Sequence, residues 1–121
     1  MKRVLFVCGR GRARSPTAAQ VFADWPGVST DFGGVSPDAD DVLSADQIDW
    51  ADLIIAMDAQ NVSDLEALRP AGNATPVRVF TEFAPGVGMD YVPDPYYTRD
   101  FAGALQLIEE AAAGLKRHLG V

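Results

Sequence analysis

The sequence predicts an α/β fold, with a small open parallel sheet of about four strands and helices on both faces. Short apolar runs alternate with segments whose apolar residues recur at spacings of three and four, as in consecutive strand-helix units. The chain has 121 residues, which suits one domain, 1–121, built around one core. No apolar run is long enough to span a membrane.

Four short apolar segments are the strand candidates. They are Lys2–Val7, Val28–Phe32, Asp52–Met57 and Thr75–Phe80, of which the second is the weakest. Turn-forming residues bound these segments, and helical segments lie between them. Strands connected in this way run parallel and are joined by right-handed crossovers.

The first helix is predicted to begin at Ser15. A serine followed by a proline is typical of an N-cap and a first helical residue, and here Pro16 follows. The pair Pro26–Gly27 ends the helical pattern. This prediction places Trp25 in the core, on the same apolar face as Phe22.

The later helices have signals of their own. Ser44 and Gln47 form a capping box ahead of a short helix that reaches Trp50, and Asp58 is positioned to cap the next helix. The last helix has the clearest periodicity, which predicts one buried stripe. The members of that stripe are Phe101, Leu105, Ile108, Ala112, Leu115 and Leu119.

Two segments have neither pattern. Gly33–Asp41 is acidic and rich in turn residues, which predicts a solvated loop. Phe83–Tyr97 follows the last strand and is rich in glycine, proline and aromatic residues. Ligands of an open α/β sheet bind beyond the carboxyl ends of the strands, where this second segment and the loop after the first strand both lie. Residue types alone do not choose between its two acids, Asp90 and Asp94.

The strongest functional signal is the stretch Val7–Thr17, VCGRGRARSPT. It contains the only cysteine, Cys8, and three arginines, in a chain whose formal net charge is -7. A loop between a strand and a helix can turn its backbone N–H groups inward and bind an anion. Gly9 and Gly11 allow the positive φ angles that such a loop needs, and Arg14 can hold two oxygens of a phosphate group.

The same surroundings favour the thiolate of Cys8, which would then be placed to attack phosphorus. The competing interpretation is a small buried side chain at the end of a strand, a common place for cysteine. Arg10 and Arg12 either point to solvent or steer an acidic or phosphorylated partner towards the loop.

Composition argues against several classes of function. Acidic residues outnumber basic ones by 17 to 10, which argues against a nucleic acid partner. A single cysteine allows no internal disulfide, and one cysteine with one histidine is too few for a structural zinc site. We expect no metal, no cofactor and no membrane partner. The apolar start is too short for a signal peptide, so a reducing, cytoplasmic setting is expected.

Three motifs together resemble the low-molecular-weight protein tyrosine phosphatases. Cys8, five residues and then Arg14-Ser15-Pro16 are similar to the phosphate-binding loop of that family. Asp94-Pro95-Tyr96-Tyr97 is similar to its acid loop before the last helix, and Ile48–Asn61 resembles its third strand and the following helix. The resemblance covers most of the chain and implies a flavodoxin/Rossmann-like fold of the phosphotyrosine phosphatase I type.

The resemblance implies a role for each matched residue. Cys8 would be the nucleophile that forms a phosphocysteine intermediate, and Arg14 with the loop amides would stabilise the transition state. Ser15 would donate a hydrogen bond to the thiolate. Asp94 would act as general acid and then as general base, and it is therefore preferred to its neighbouring acid. The pair Tyr96–Tyr97 would wall the entrance and contact the substrate ring.

The loop residues Gly9, Arg10, Gly11, Arg12 and Ala13 would surround the phosphoryl group of the substrate. The loop of the family has the pattern Cys-x-Gly-Asn-x-Cys-Arg-Ser, and this chain departs from it. Gly11 replaces an asparagine that braces the loop, and Ala13 replaces a second cysteine that guards the first against oxidation.

The implied function is that of a metal-independent phosphomonoester hydrolase, most closely a protein-tyrosine phosphatase. Its substrate would be a phosphotyrosine protein or a small aryl phosphate, and the protein would be a monomer or a weak dimer. One alternative is a single-cysteine arsenate reductase that uses an external thiol. Others are a phosphocysteine carrier of a sugar phosphotransferase system and a non-catalytic phosphate- or phosphopeptide-binding module, neither of which needs an acid loop.

Overall fold

The computed structural model describes all residues from Met1 to Val121. Its strands are β1 (Lys2–Cys8), β2 (Val28–Gly34), β3 (Leu53–Ala56) and β4 (Val77–Val79). They form one parallel four-stranded sheet in the order β2-β1-β3-β4. The predicted fold class is confirmed.

All four predicted strands are present, but their ends differ from the predicted ones. β2 continues to Gly34 because this residue pairs with Cys8 in the register of β1 and β2. β4 is shorter than predicted and pairs only with β3, at one edge of the sheet. All residues of β3 are buried, as expected for a parallel strand covered on both faces.

Helices and tight turns connect the strands. The α-helices are α1 (Arg14–Val21), α2 (Ala45–Trp50), α3 (Ala59–Leu68), α4 (Pro95–Thr98) and α5 (Phe101–Leu119), and the 3-10 turns are Phe80–Phe83 and Pro85–Val87. α4 interrupts a segment that was expected to be irregular, with Pro95 at its first position, where a missing N–H group costs little. None of the helices combines the length and apolar character that crossing a bilayer requires.

The predicted start of α1 is wrong. Ala13 precedes the helix and makes no side-chain cap, whereas Ser15 is buried within the first turn. Pro16 is tolerated there because the N–H groups of a first turn have no helical partner. The hydroxyl of Ser15 therefore faces the end of β1 instead of capping the helix.

α1 also ends earlier than predicted, at Val21. Trp25 lies beyond the helix and is 41% exposed, so its predicted place in the core is wrong. Lys116 Nζ lies 3.6 Å from the centre of the tryptophan ring. A cation at that distance from an aromatic face is attracted by it, and it partly covers the exposed indole.

The other two predicted caps are confirmed. The hydroxyl of Ser44 accepts a hydrogen bond from the backbone N–H of Gln47, whose side chain accepts one from the N–H of Ser44. Asp58 accepts from the backbone N–H of Asn61 at the start of α3. The two helices are joined to β3 by short connections, since α2 ends at Trp50 and α3 begins at Ala59.

Helices cover both faces of the sheet. Consecutive residues of a strand point to opposite faces, so Leu5 and Phe6 enter different apolar clusters. Phe6 lies in the cluster that α1 and α5 cover, with Leu115 of α5. Leu5 lies in the smaller cluster under α2 and α3, with Ile48 and Leu65.

The buried face of α5 agrees with the prediction only in part. Phe101 is 57% exposed and Leu105 is 41% exposed, contrary to prediction. The buried face includes small residues that a pattern of large apolar residues leaves out, and one of them packs closely, since a Cβ at Gly114 would lie 1.8 Å from the carbonyl oxygen of Phe83. The helix thus turns its small residues inward. Its buried residues are Ala104, Leu107, Ile108, Ala111, Ala112, Gly114 and Leu115.

Candidate active site

Several chemistry-bearing segments meet at the carboxyl edge of the sheet. The Cys8 loop (Cys8–Arg14) connects β1 to α1, Asp58 follows β3, and Asp94 precedes α4. Because the strands are parallel, their carboxyl ends lie at one edge. β1 is a central strand, so its end lies between those of β2 and β3.

The sulfur of Cys8 is buried and hydrogen-bonded. The side chain is 3% exposed. The backbone N–H of Gly11 donates to Sγ at 3.2 Å, and Oγ of Ser15 lies 3.0 Å from it. The N-terminus of α1 adds its positive end of the helix dipole. The sulfur of Cys8 therefore lies among hydrogen-bonding groups, at the positive end of a helix dipole.

The two glycines of the loop have different roles. Gly11 has φ of +67°, a left-handed conformation that glycine adopts without steric cost. Gly9 does not have a positive φ, so that prediction is wrong. A Cβ on Gly9 would meet no atom within 4 Å, which leaves open space beside the loop.

A backbone brace supports the Cys8 loop from the side of β2. Val35 N–H donates to the carbonyl of Cys8 at 2.9 Å, and Ser36 N–H donates to that of Gly9 at 2.9 Å. Asp40 N–H donates to the carbonyl of Arg10 at 3.0 Å. These bonds hold the loop in a chain that lacks the bracing asparagine side chain of the family pattern.

Arg14 is the buried cation of the site. Its side chain is 7% exposed, and Nη1 donates to Oδ2 of Asp58 at 2.9 Å and to the carbonyl of Val92 at 2.8 Å. Its Nη2 lies 3.9 Å from Oδ2 of Asp94. Sequence reasoning assigned Asp58 only to a helix cap. Its position directly after a central strand was the signal that could have added it to the site.

Asp94 lies at the mouth of the site. It caps α4 by accepting from the N–H of Tyr96 at 3.0 Å, and 29% of its side chain is exposed. Tyr96 and Tyr97 form an edge-to-face pair with ring centres 5.5 Å apart. Asp94 lines the same cleft as Cys8, whereas Asp90 does not line it.

Two ion pairs join the Cys8 loop to the acidic turn, Ser36–Asp41. Arg10 Nη1 lies 3.1 Å from Oδ2 of Asp38, and Arg12 Nε lies 2.9 Å from Oδ2 of Asp40. The hydroxyl of Ser36 and the guanidinium of Arg10 hold the pKa of Asp38 below its usual range. The acidic run is solvated as predicted, since Asp38 and Asp40 are 63% and 59% exposed, but these two carboxylates also pair with the Cys8 loop.

The two pairs have matching spacing, since one residue separates Arg10 from Arg12 and one residue separates Asp38 from Asp40. The guanidinium of Arg12 also lies 5.4 Å from the ring centre of Tyr96. Its carboxylate partner Asp40 raises the pKa of Arg12. Arg12 therefore contacts both the acidic turn and the aromatic wall.

The cleft above Cys8 is narrow, with a cavity volume of about 10 Å³, close to the room that one water molecule needs. A cavity of about 470 Å³ lies elsewhere, between α5 and the segment before α4, and contains none of the predicted site residues. No group of three or more His, Cys, Asp or Glu side chains is arranged to hold a metal ion. The cleft is lined by Cys8, Arg10, Arg12, Ala13, Arg14, Asp94, Tyr96 and Tyr97.

This arrangement has the components of phosphoryl transfer. A nucleophile candidate accepts a hydrogen bond from a loop N–H group, a buried guanidinium lines the same cleft, and a carboxyl group stands at its mouth. Nucleophile, anion stabiliser and proton donor are the parts that a covalent two-step hydrolysis uses.

Known proteins are similar to this chain in sequence and in fold. The profile of the family described as "Low molecular weight phosphotyrosine protein phosphatase" matches residues 36–120, and the Cys8 loop precedes that segment. A low molecular weight protein-tyrosine-phosphatase of Streptomyces coelicolor is 33% identical, covering 93% of this chain and 90% of its own length.

Solved structures extend the similarity to nearly the whole chain. The crystal structure of YfkJ from Bacillus subtilis has a TM-score of 0.87 at 26% identity, covering 99% of this chain and 95% of that one. The structure of Vibrio vulnificus Wzb in complex with benzylphosphonate has the same fold, with a TM-score of 0.81 at 22% identity, covering 97% of this chain and 97% of that one. With its parallel sheet, its cysteine loop and these matches, the chain belongs to the low molecular weight phosphotyrosine protein phosphatase family.

Proposed function

We propose that this protein hydrolyses phosphate monoesters of aryl groups, with phosphotyrosine in proteins as the leading substrate, through a phosphocysteine intermediate. The observation that carries the proposal is the placement of Cys8, Arg14 and Asp94 around one cleft at the carboxyl edge of the sheet. The benzylphosphonate bound by Wzb, a relative of the same fold, has the same combination of ring and phosphoryl group. It supports an aryl phosphate as substrate.

In the first step, the thiolate of Cys8 attacks phosphorus and forms the S–P bond. The bond between phosphorus and the aryl oxygen breaks, and its electron pair leaves with that oxygen. Protonated Asp94 donates its proton to the oxygen, so that a neutral phenol departs. Arg14 and the loop N–H groups bind the equatorial oxygens, whose charge they stabilise in the transition state.

In the second step, a water molecule attacks phosphorus and the carboxylate of Asp94 takes its proton. The S–P bond breaks, its electron pair returns to Cys8 as thiolate, and inorganic phosphate leaves. The hydrogen bonds from Gly11 N–H and from the hydroxyl of Ser15 would stabilise the departing thiolate in this step. This role would explain why the hydroxyl of Ser15 is buried within α1 instead of capping the helix.

The alternatives have less support in the structure. An arsenate reductase that relays electrons through an internal disulfide needs a second cysteine, which this chain lacks. An arsenate reductase built on this chain would therefore need an external thiol at every turnover. A phosphocysteine carrier or a phosphate-binding module would have no use for a carboxyl group beside the buried arginine.

The proposal is tested by hydrolysis of aryl phosphates with different leaving groups. We expect p-nitrophenyl phosphate to be turned over and Cys8→Ser to be inactive. Asp94→Asn should lower kcat by about 10²- to 10⁴-fold, with the larger loss on phosphotyrosine, because its phenol is the poorer leaving group. Asparagine is as good an N-cap as aspartate, so α4 is retained in this variant.

Asp90→Asn is the matched control, since it makes the same chemical change on the same segment outside the cleft. It should keep the activity of the parent protein. Turnover that persists in Cys8→Ser, or an equal loss in both Asp→Asn variants, would refute the assigned roles. Absence of turnover in the parent protein would refute the function itself.

A further inference from the structure

The Cys8 loop has two arginines beyond the one that the proposed chemistry uses. Arg10 and Arg12 line the same cleft as Cys8, and neither is buried like Arg14, since their side chains are 42% and 33% exposed. Each holds one carboxylate of the acidic turn at hydrogen-bonding distance. Both guanidinium groups are thus already bound to an anion of the kind that a substrate could offer.

We propose that Arg10 and Arg12 form a second anion subsite that selects phosphotyrosine peptides with an acidic residue next to the phosphotyrosine, and that Asp38 and Asp40 occupy this subsite until such a substrate displaces them. The proposal rests on the proposed function, because it assumes that the phosphoryl group binds in the Cys8 loop.

The cleft above Cys8 is narrow at its base and bounded by side chains that differ in burial. Its volume of about 10 Å³ is close to that needed for one water molecule, and a phosphoryl group is larger. Arg14 is buried and held by Asp58 and Val92, so it is the fixed wall. Arg10, Arg12 and the tyrosine pair are the lining groups that solvent reaches, so they can exchange their contacts for contacts with a substrate.

The arginine–aspartate pairs are suited to exchange. Exposed ion pairs are worth little, because solvent competes with them, and Asp38 and Asp40 are 63% and 59% exposed. Replacing one carboxylate by another changes the interaction energy little. A substrate carboxylate held near Arg12 by its bound phosphoryl group has the high effective concentration of a tethered ligand, which lets it compete with Asp40.

Arg12 is the better placed of the two arginines to sense the substrate. Its guanidinium lies between the carboxylate of Asp40 and the ring of Tyr96, which is the wall expected to contact the phosphotyrosine ring. In the proposed complex, the residue next to the phosphotyrosine lies beside this wall, within reach of Arg12. The preference should therefore depend on Arg12 more strongly than on Arg10.

The test measures binding of two phosphotyrosine peptides that differ only in their neighbours, glutamate in one and the isosteric glutamine in the other. Cys8→Ser protein is used so that neither peptide is consumed, and dissociation constants are determined by titration calorimetry. We expect the glutamate peptide to bind about twice as tightly, because its carboxylate must displace Asp40 and gains only part of the value of an exposed ion pair. Adding Arg12→Gln should bring that ratio to about one, because the pair is lost.

Asp40→Asn is the decisive variant, because it removes the internal competitor and leaves the arginine. It should raise the ratio above that of the parent, to about three- to fivefold, as the substrate carboxylate then gains an exposed ion pair without displacing another carboxylate. Asp52→Asn is the matched control. It changes the net charge equally and breaks a comparable pair with Arg3 at 3.0 Å, at the opposite end of the sheet, so the ratio should stay at the parent value.

Three results would overturn the inference: equal binding of the two peptides, a ratio that Arg12→Gln leaves intact, or equal effects of Asp40→Asn and Asp52→Asn. Failure to bind either peptide would also overturn it. Turnover of p-nitrophenyl phosphate by the protein with Cys8 intact is measured in parallel. Turnover without glutamate preference removes only this inference, whereas glutamate preference without turnover removes only the hydrolase function.

Discussion

The charged guanidinium of Arg14 is buried. A buried guanidinium is tolerated only when it is paired and hydrogen-bonded, and here Asp58 and the carbonyl of Val92 supply those partners. Val92 is itself fixed, because its N–H donates to the carbonyl of Met57 at 2.8 Å. The position of the arginine therefore depends on the residues that follow β3 as much as on its own loop.

We predict that Asp58→Asn lowers the free energy of unfolding by about 1–3 kcal/mol, the range for losing a hydrogen bond to a charged group. Asparagine still caps α3, so the loss reports the interaction with Arg14. Asp64→Asn, on the same helix, is the control: Asp64 accepts a hydrogen bond from Gln60, which asparagine can also accept, so the variant should stay within about 0.5 kcal/mol of the parent. Urea unfolding measures both, and equal losses would contradict the assignment.

Gly34 allows the close contact between the end of β2 and the Cys8 loop. A Cβ at this position would lie 2.6 Å from the carbonyl carbon of Arg10 and 2.8 Å from the nitrogen of Gly11. Both are backbone atoms, so the contact cannot be relieved by a side-chain rotation. The brace between the two segments depends on the missing side chain.

We predict that Gly34→Ala lowers the free energy of unfolding by about 1–3 kcal/mol, as overpacking does, and lowers turnover of p-nitrophenyl phosphate because the Cys8 loop must shift. Gly86→Ala is the control, since a Cβ there meets nothing within 4 Å. Thermal unfolding and initial rates of both variants give the comparison. A Gly34→Ala protein with the parent's stability would mean that the brace is looser than described.

At the scale of elements, α5 and the 3-10 turn after β4 are held together by an unusually close contact. Gly114 lies against the backbone of Phe83, and the small residues of α5 face the sheet while Phe101 and Leu105 face solvent. Helix propensity alone favours alanine over glycine in a helix interior by about 1 kcal/mol. Packing and propensity thus make opposite predictions for the same substitution.

We predict that Gly114→Ala destabilises the protein by about 1–3 kcal/mol, because the new methyl group forces α5 away from Phe83 and overpacking outweighs the gain in helix propensity. Denaturant unfolding measures the sign directly. A stabilised variant would show that α5 can shift without loss of its other contacts.

At the scale of the whole molecule, several surface carboxylates have lowered pKa values. Hydrogen bonds from Arg3 hold the pKa of Asp52 below its usual range, and hydrogen bonds from Arg69 do the same for Glu66. The unfolded chain binds a proton at these groups at a higher pH than the folded chain. Their contribution to stability is therefore complete above the unfolded-state value of about 4 and is lost as pH falls through the folded-state value.

We predict that Asp52→Asn is less stable than the parent at pH 6 and that the difference shrinks by pH 3, because the unfolded parent then binds a proton at Asp52 while the lowered pKa of the folded parent resists it. The measurement is urea unfolding of both proteins at the two pH values. A difference that is unchanged or wider at pH 3 would contradict the linkage of Asp52 to Arg3.

Much of the architecture follows from local patterns in the chain. The alternation of apolar runs and helical segments predicted all four strands, and the caps at Ser44 and Asp58 followed from the preferences of their side chains. The ends were less well predicted. The sequence predicts Ser15 as a cap because serine followed by proline favours that position. The contact of Ser15 with Cys8, which moves it into the first turn, depends on the neighbouring strand and not on the helix pattern.

The sequence by itself determined the order of strands and helices and the loop that joins Cys8 to α1, because these depend on residues close together in the chain. Only the tertiary structure decided which distant groups meet. Arg14 and Asp58 are 44 positions apart, and Arg12 and Asp40 are 28 positions apart. Their pairing depends on the register of parallel strands and on where their carboxyl ends come together, and no local preference of the chain encodes that meeting.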